Sequence, residues 1–141
     1  AHEAVGVQFG GTAEGFAQAQ AARPDAANLI SVAAELHADC LMGIWLSSVD
    51  DENRLETGDL EEVFGALDQI GDDTLSAAAG ETADAASFDH GTSAQREDWF
   101  ATGYKTQDIE ACNAVIDDLG DGTLEQQLQA GADAANARTA P

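Results

Sequence analysis

Apolar residues in this chain recur at steps of three and four, and no stretch alternates convincingly. The strongest stripe is Leu29, Val32, Ala33, Leu36, Cys40, Ile44 and Ser47. It predicts one long amphipathic helix that starts near Pro24 or Asp25 and runs to about Val49. Upstream, residues 1–22 can be helical to about Gln20, although Gly6, Gly10, Gly11 and Gly15 each weaken the helix by up to about 1 kcal/mol. Downstream, Asp50-Asp51-Glu52-Asn53 reads as a polar connector. Asp59 then caps a helix whose apolar face is Leu60, Val63, Phe64, Leu67 and Ile70, with Glu62 as capping-box partner and Gly71 as its end.

The second half continues the pattern. Asp72-Asp73-Thr74 caps a short helix through Ala79, and residues 80–88 read as irregular. Thr92 and Gln95 form a capping box for a helix anchored by Trp99, Phe100 and Tyr104. Gln107 or Asp108 opens the helix carrying Cys112, Val115 and Ile116. A last short helix is expected over Thr123 to Ala130, with fraying from there to Pro141. The fold class is all-α. The expected organisation is one helical domain over residues 1–120 and a C-terminal extension over residues 121–141.

The chain has 27 acids against 5 bases, a formal charge of −22 over 141 residues. That field repels nucleic acid and anionic membrane surfaces, so neither is an expected partner. No apolar run stands out as a membrane span of about 20 residues, and no signal peptide opens the chain.

Candidate chemistry centres on the long helix. Glu35 and Asp39 are four residues apart, about 40° around the axis, and share a face. Two acids on one face of an apolar helix are costly unless something pairs with them. Without a partner, they are simply solvated acids. His37 lies about 200° from Glu35 and is rejected as a co-ligand. Cys40 is about 140° from Glu35, which argues against joint ligation with it. Cys40 and Cys112 are the chain's two cysteines, and spacing leaves paired and separately buried thiols both open. His2-Glu3 is the first half of a zincin motif, but the residue four after His2 is Gly6. Residues 117–122 suggest a calcium loop and are set aside, because Leu119 and Leu128 stand where ligands are needed.

Several ordered blocks carry a family resemblance. They are Glu-Leu-His-Ala-Asp-Cys-Leu-Met-Gly-Ile-Trp (35–45), Leu-Glu-Thr-Gly-Asp-Leu-Glu-Glu-Val (55–63), Ile-Gly-Asp-Asp (70–73) and Phe-Asp-His-Gly-Thr-Ser-Ala-Gln-Arg-Glu-Asp-Trp-Phe (88–100). Together they resemble the C-terminal part of the bacterial neutral zinc metallopeptidases, a zincin-like family, up to about Cys112. The resemblance implies that His2 and Glu35 are metal ligands and that Glu3 is the general base. It also implies that Asp39 is a carboxylate orienting a ligand histidine. His90 would lie near the site and stabilise an oxyanion. Cys40 and Cys112 match cysteine positions of the family, which implies a disulfide and an extracytoplasmic location.

Departures from the family temper this. The family's His-Glu-x-Gly-His-His-Val-Gln run is His-Glu-Ala-Val-Gly-Val-Gln here, with neither later histidine. Aligned without a gap on Val7-Gln8, even the first histidine is replaced, by Ala1. Catalytic zinc normally takes three protein ligands and a water, so zinc is expected to be weakly bound or absent. The family's strand layer and membrane anchor have no counterpart in these 141 residues. The leading expectation is a truncated metallopeptidase relative with little or no peptidase activity that retains a helical scaffold. One alternative is an active zinc peptidase with a substituted ligand such as His90, acting on a peptide. Another is a structural or binding protein that forms a homodimer through exposed helix faces.

Overall fold

A computed structural model describes residues 13–140. Among these residues the fold is all-α, with no strands. Eight α-helices follow one another: α1 (Ala13–Ala22), α2 (Ala27–Asp51), α3 (Asp59–Ile70), α4 (Asp72–Ala79), α5 (Ser93–Thr106), α6 (Ile109–Asn113), α7 (Val115–Asp121) and α8 (Thr123–Thr139). Short 3-10 turns lie at Pro24–Ala26 and Ala85–Ser87.

The 25-residue helix α2 is the centre of the domain. Val32, Ala33, Leu36 and Cys40 are completely buried, as the periodicity predicts. The sequence places a connector at residues 50–53, but the helix runs on through Asp51. By length and composition the stretch Pro24–Asp51 is apolar enough to cross a membrane, contrary to the sequence expectation. Half of its most apolar window is buried against other helices. A core helix surrounded by protein meets the same test as a membrane span.

The most extensive contact in the fold joins α2 to α5. Two glycines make it possible. A Cβ on Gly103 would lie 1.8 Å from the Cys40 carbonyl oxygen, and one on Gly43 would lie 2.1 Å from the Phe100 carbonyl oxygen. The backbones therefore meet directly, with no side chain between them. Asp39 faces Arg96 and Ser47 faces Gln107, so the two helices run in the same sense.

Apolar residues collect in two clusters. The larger joins Phe16, Ile30, Val32, Leu36, Phe88, Val115, Leu124 and Leu128 from α1, α2, α7, α8 and the loop before α5. The smaller joins Leu46, Leu67 and Phe100, with Val63 and Phe64 of α3 packed against them.

Three details differ from the sequence reading. The cap of α3 is Gly58, at φ 105°, and Asp59 is the first helical residue. Its carboxylate accepts the Glu56 N–H instead. The second difference is that Cys112 and Val115 sit on separate helices, α6 and α7. The set-aside calcium loop is mostly α7, with Gly122 at φ 89° turning the chain into α8. Finally, the chain does not fray after Ala130, because α8 runs to Thr139 and buries Leu124, Leu128, Ala132 and Ala135. The Asn136 side chain accepts the Ala83 N–H at 2.8 Å and donates to the Ala83 carbonyl at 3.0 Å. Residues 121–140 thus share the core with the rest instead of trailing from it.

Candidate metal-ligand face of the central helix

Glu35 and Asp39 do share a face of α2, and their partner is a base. Arg96, in the first turns of α5, donates from Nε to Asp39 Oδ2 at 2.8 Å and from Nη2 to Asp39 Oδ1 at 3.0 Å. The same Nη2 lies 3.5 Å from Glu35 Oε2. Arg96 and Asp39 are 7% and 4% exposed, so this is a buried two-pronged ion pair. The Glu35 side chain is 42% exposed, the most open of the three. Burial pushes the Asp39 carboxyl above its ordinary value, and the hydrogen bonds and charge of Arg96 oppose that rise.

Arg96 is held in place from behind. Thr92 caps α5, its hydroxyl accepting the Gln95 N–H at 3.1 Å while the Gln95 carboxamide oxygen accepts the Thr92 N–H at 3.0 Å. This is the predicted capping box. Asp73 accepts the Ser93 N–H at 2.9 Å, and the Ser93 hydroxyl donates to the Asp68 carbonyl.

His90 lies in the loop before α5. Its Nδ1 is 2.6 Å from Asp89 Oδ1 and 3.2 Å from Asp72 Oδ1. Asp72 Oδ2 accepts three consecutive backbone N–H groups, from Asp89, His90 and Gly91. Among the described residues, Asp72, Asp89 and His90 are the one group of three whose donor atoms lie close enough to hold a metal ion. Asp72 is equally explained as the staple that fixes this loop on α4.

Cys40 and Cys112 form a disulfide between α2 and α6, and both are fully buried. His37 is buried as well. Its Nε2 bonds Asn113 Oδ1 at 3.0 Å and its ring sits 5.7 Å from that of Phe16. His2 and Glu3 lie outside the described residues.

The described residues do not by themselves complete a catalytic zinc site. Such a site takes three protein donors and a water. Glu35 brings no three-donor group with it, and both oxygens of Asp39 accept from Arg96. The structure therefore brings Glu35 and Asp39 together, joins the cysteines, and ties His90 to Asp72 and Asp89.

Sequence reasoning missed Arg96 and Asp72. A signal existed for Arg96: one of only five bases among 27 acids is expected to be paired.

Part of the chain is 46% identical over 81 residues to the uncharacterized protein YpfJ of Escherichia coli K12, covering 57% of this chain and 28% of that protein. It is 32% identical over 87 residues to the uncharacterized protein Mb2605 of Mycobacterium bovis, covering 55% of this chain and 30% of that one. The aligned part thus spans less than a third of either relative's length. No solved structure matches. The family described as "Putative neutral zinc metallopeptidase" matches residues 4–115, and the chain belongs to that family.

Proposed function

We propose that this chain is a helical metallopeptidase scaffold with little or no peptidase activity of its own. The observation that supports this best is the Glu35–Arg96–Asp39 cluster. Both acids of the expected ligand helix already share a guanidinium. The His-Glu-Ala-Val-Gly run, which lacks the second histidine, points the same way. In this reading Glu35 remains the residue that would meet a metal. Asp39 acts through Arg96, His2 belongs to a ligand set that is incomplete, and Glu3 is the general base that set would serve. The disulfide is compatible with an extracytoplasmic location.

The test is zinc content after purification without chelator, followed by casein cleavage. Zinc well below one per chain and no cleavage above a Glu3→Gln control are expected. One zinc per chain, with cleavage that Glu3→Gln abolishes, overturns the reading. It would favour the alternative of an active peptidase with a substituted ligand, for which His90 and its two aspartates are the available donors.

A homodimer is a further reading, supported by one observation. Leu41, Met42 and Trp45 are exposed together along α2, with Trp45 at 62%. Large apolar side chains grouped in the open mark association surfaces. Light scattering tests this, and a monomer at all concentrations refutes it.

A further inference from the structure

Resting on the reading of α2 as the ligand helix, we propose that Arg96 is a positioning residue that makes Glu35 a poor cation site on its own. The geometry carries this. Nη2 of Arg96 touches both acids, at 3.0 Å from Asp39 Oδ1 and 3.5 Å from Glu35 Oε2. Asp39 and Arg96 are buried, and Glu35 is the half-exposed edge. A divalent cation arriving from solvent therefore meets Glu35 first, with a fixed positive charge directly behind it. The guanidinium stays protonated at any physiological pH, so it cannot step aside by losing its charge. It is also fixed in place, because the bidentate bond to Asp39 sets its plane.

The consequence is a weaker hold on divalent cations than an unpaired carboxylate gives. In a chain of formal charge −22, bare surface carboxylates attract any divalent cation. Glu35 differs from a bare carboxylate, because its guanidinium is buried and held by a second acid. A hard cation such as magnesium or calcium, held by one carboxylate and water, gains too little at Glu35 to overcome the guanidinium.

The test uses the full chain, stripped with chelator and dialysed, and zinc chloride alone as the probe. Zinc affinity is read by competition with a chromophoric chelator, and the fold by far-ultraviolet circular dichroism. Arg96→Gln removes the charge while leaving an amide to donate to Asp39. It is expected to bind zinc about tenfold more tightly than the wild type or better, because a unit charge has been removed from the immediate neighbourhood of Glu35. Arg96→Lys, which keeps the charge, is expected to stay near the wild type. Adding Glu35→Gln to Arg96→Gln is expected to remove the gain. Equal affinity of folded Arg96→Gln and wild type overturns the proposal, and so does a gain that survives Glu35→Gln. Should Arg96→Gln fail to fold, Arg96→Gln combined with Asp39→Asn leaves no buried charge unpaired and is scored in the same way. A zinc-loaded, active wild type would end the earlier functional reading but not this one, which is judged on the ratio between variant and wild type.

Discussion

Replacing glycine by alanine inside a helix ordinarily stabilises it by up to about 1 kcal/mol. At two positions in this protein the sign should reverse. Gly103 and Gly43 are mid-helix glycines on opposite sides of the α2–α5 contact. The Cβ of Gly103→Ala would sit 1.8 Å from the Cys40 carbonyl oxygen, where real Cβ contacts essentially never fall below 3.0 Å. The helices would have to part by about 1 Å or more, and the obstacle is backbone, which cannot rotate away. Parting them loosens Phe100, which is fully buried, and lengthens the bonds between Arg96 and Asp39. Overpacking of this kind costs about 1–3 kcal/mol, and a backbone obstacle belongs at or above the upper end. Gly65 supplies the control. It lies within α3, and a Cβ there meets nothing within 4 Å, so Gly65→Ala should stabilise by up to about 1 kcal/mol. Urea unfolding of the three variants measures the difference. If Gly103→Ala and Gly43→Ala are as stable as the wild type, the direct backbone contact and the argument built on it are wrong.

Three other outcomes are expected. Cys40→Ser/Cys112→Ser should lose about 4 kcal/mol, because the disulfide closes a loop with a sequence separation of 72. Thermal unfolding with and without reductant checks this, and an unchanged midpoint would refute it. The Asp39 carboxyl has a raised pKa in the folded state, so the native form holds more protons than the unfolded one just above the ordinary value of 3.8. Its contribution to stability is therefore full below that value and is lost as the pH rises through the raised one. The stability difference between wild type and Asp39→Asn, followed by urea unfolding across mildly acidic pH, should fall with rising pH. A rise would mean that pairing with Arg96 outweighs burial. Excess chelator should leave the melting midpoint unchanged, since no contact in the described core needs a metal. A chelator-induced drop of several degrees would show a structural metal.

Local signals made most helices legible. The buried stripe of α2, the Thr92–Gln95 capping box and the Gly71 terminus all come from spacings of a few residues along the chain. Helix α8 was under-read beyond Ala130 because its late residues are small. Ala132 and Ala135 look like tail, yet they continue the Leu124–Leu128 stripe, and their small size lets the helix sit close to the core. Gly131 confirms that closeness, since a Cβ there would meet Thr92 Cγ2 at 2.3 Å. The ion pair was not legible in detail, because Arg96 and Asp39 are 57 residues apart. The sequence could require a partner for two acids on one face, but a zinc ion, a histidine and an arginine all satisfy that requirement. The Cys40–Cys112 pairing came from the family resemblance, since spacing alone had left it open.

The arrangement around α2 separates scaffold from chemistry. What fixes Glu35 and Asp39 in space is the glycine contact with α5, the disulfide to α6, and the capping box and Asp73 bond that set the start of α5. None of these involves a metal ligand. A metal site whose carboxylates are held only by the ion tends to fold with the ion. Here the carboxylates are already neutralised in part by Arg96 and held by packed backbone, so the face can persist without zinc. A scaffold of this kind does not need a metal ion to hold its two acids. Conversely, losing Arg96 would leave Asp39 buried without a partner, at a cost of about 3–5 kcal/mol. Stability therefore constrains Arg96 and Asp39 as a pair, whatever the chain does with a metal.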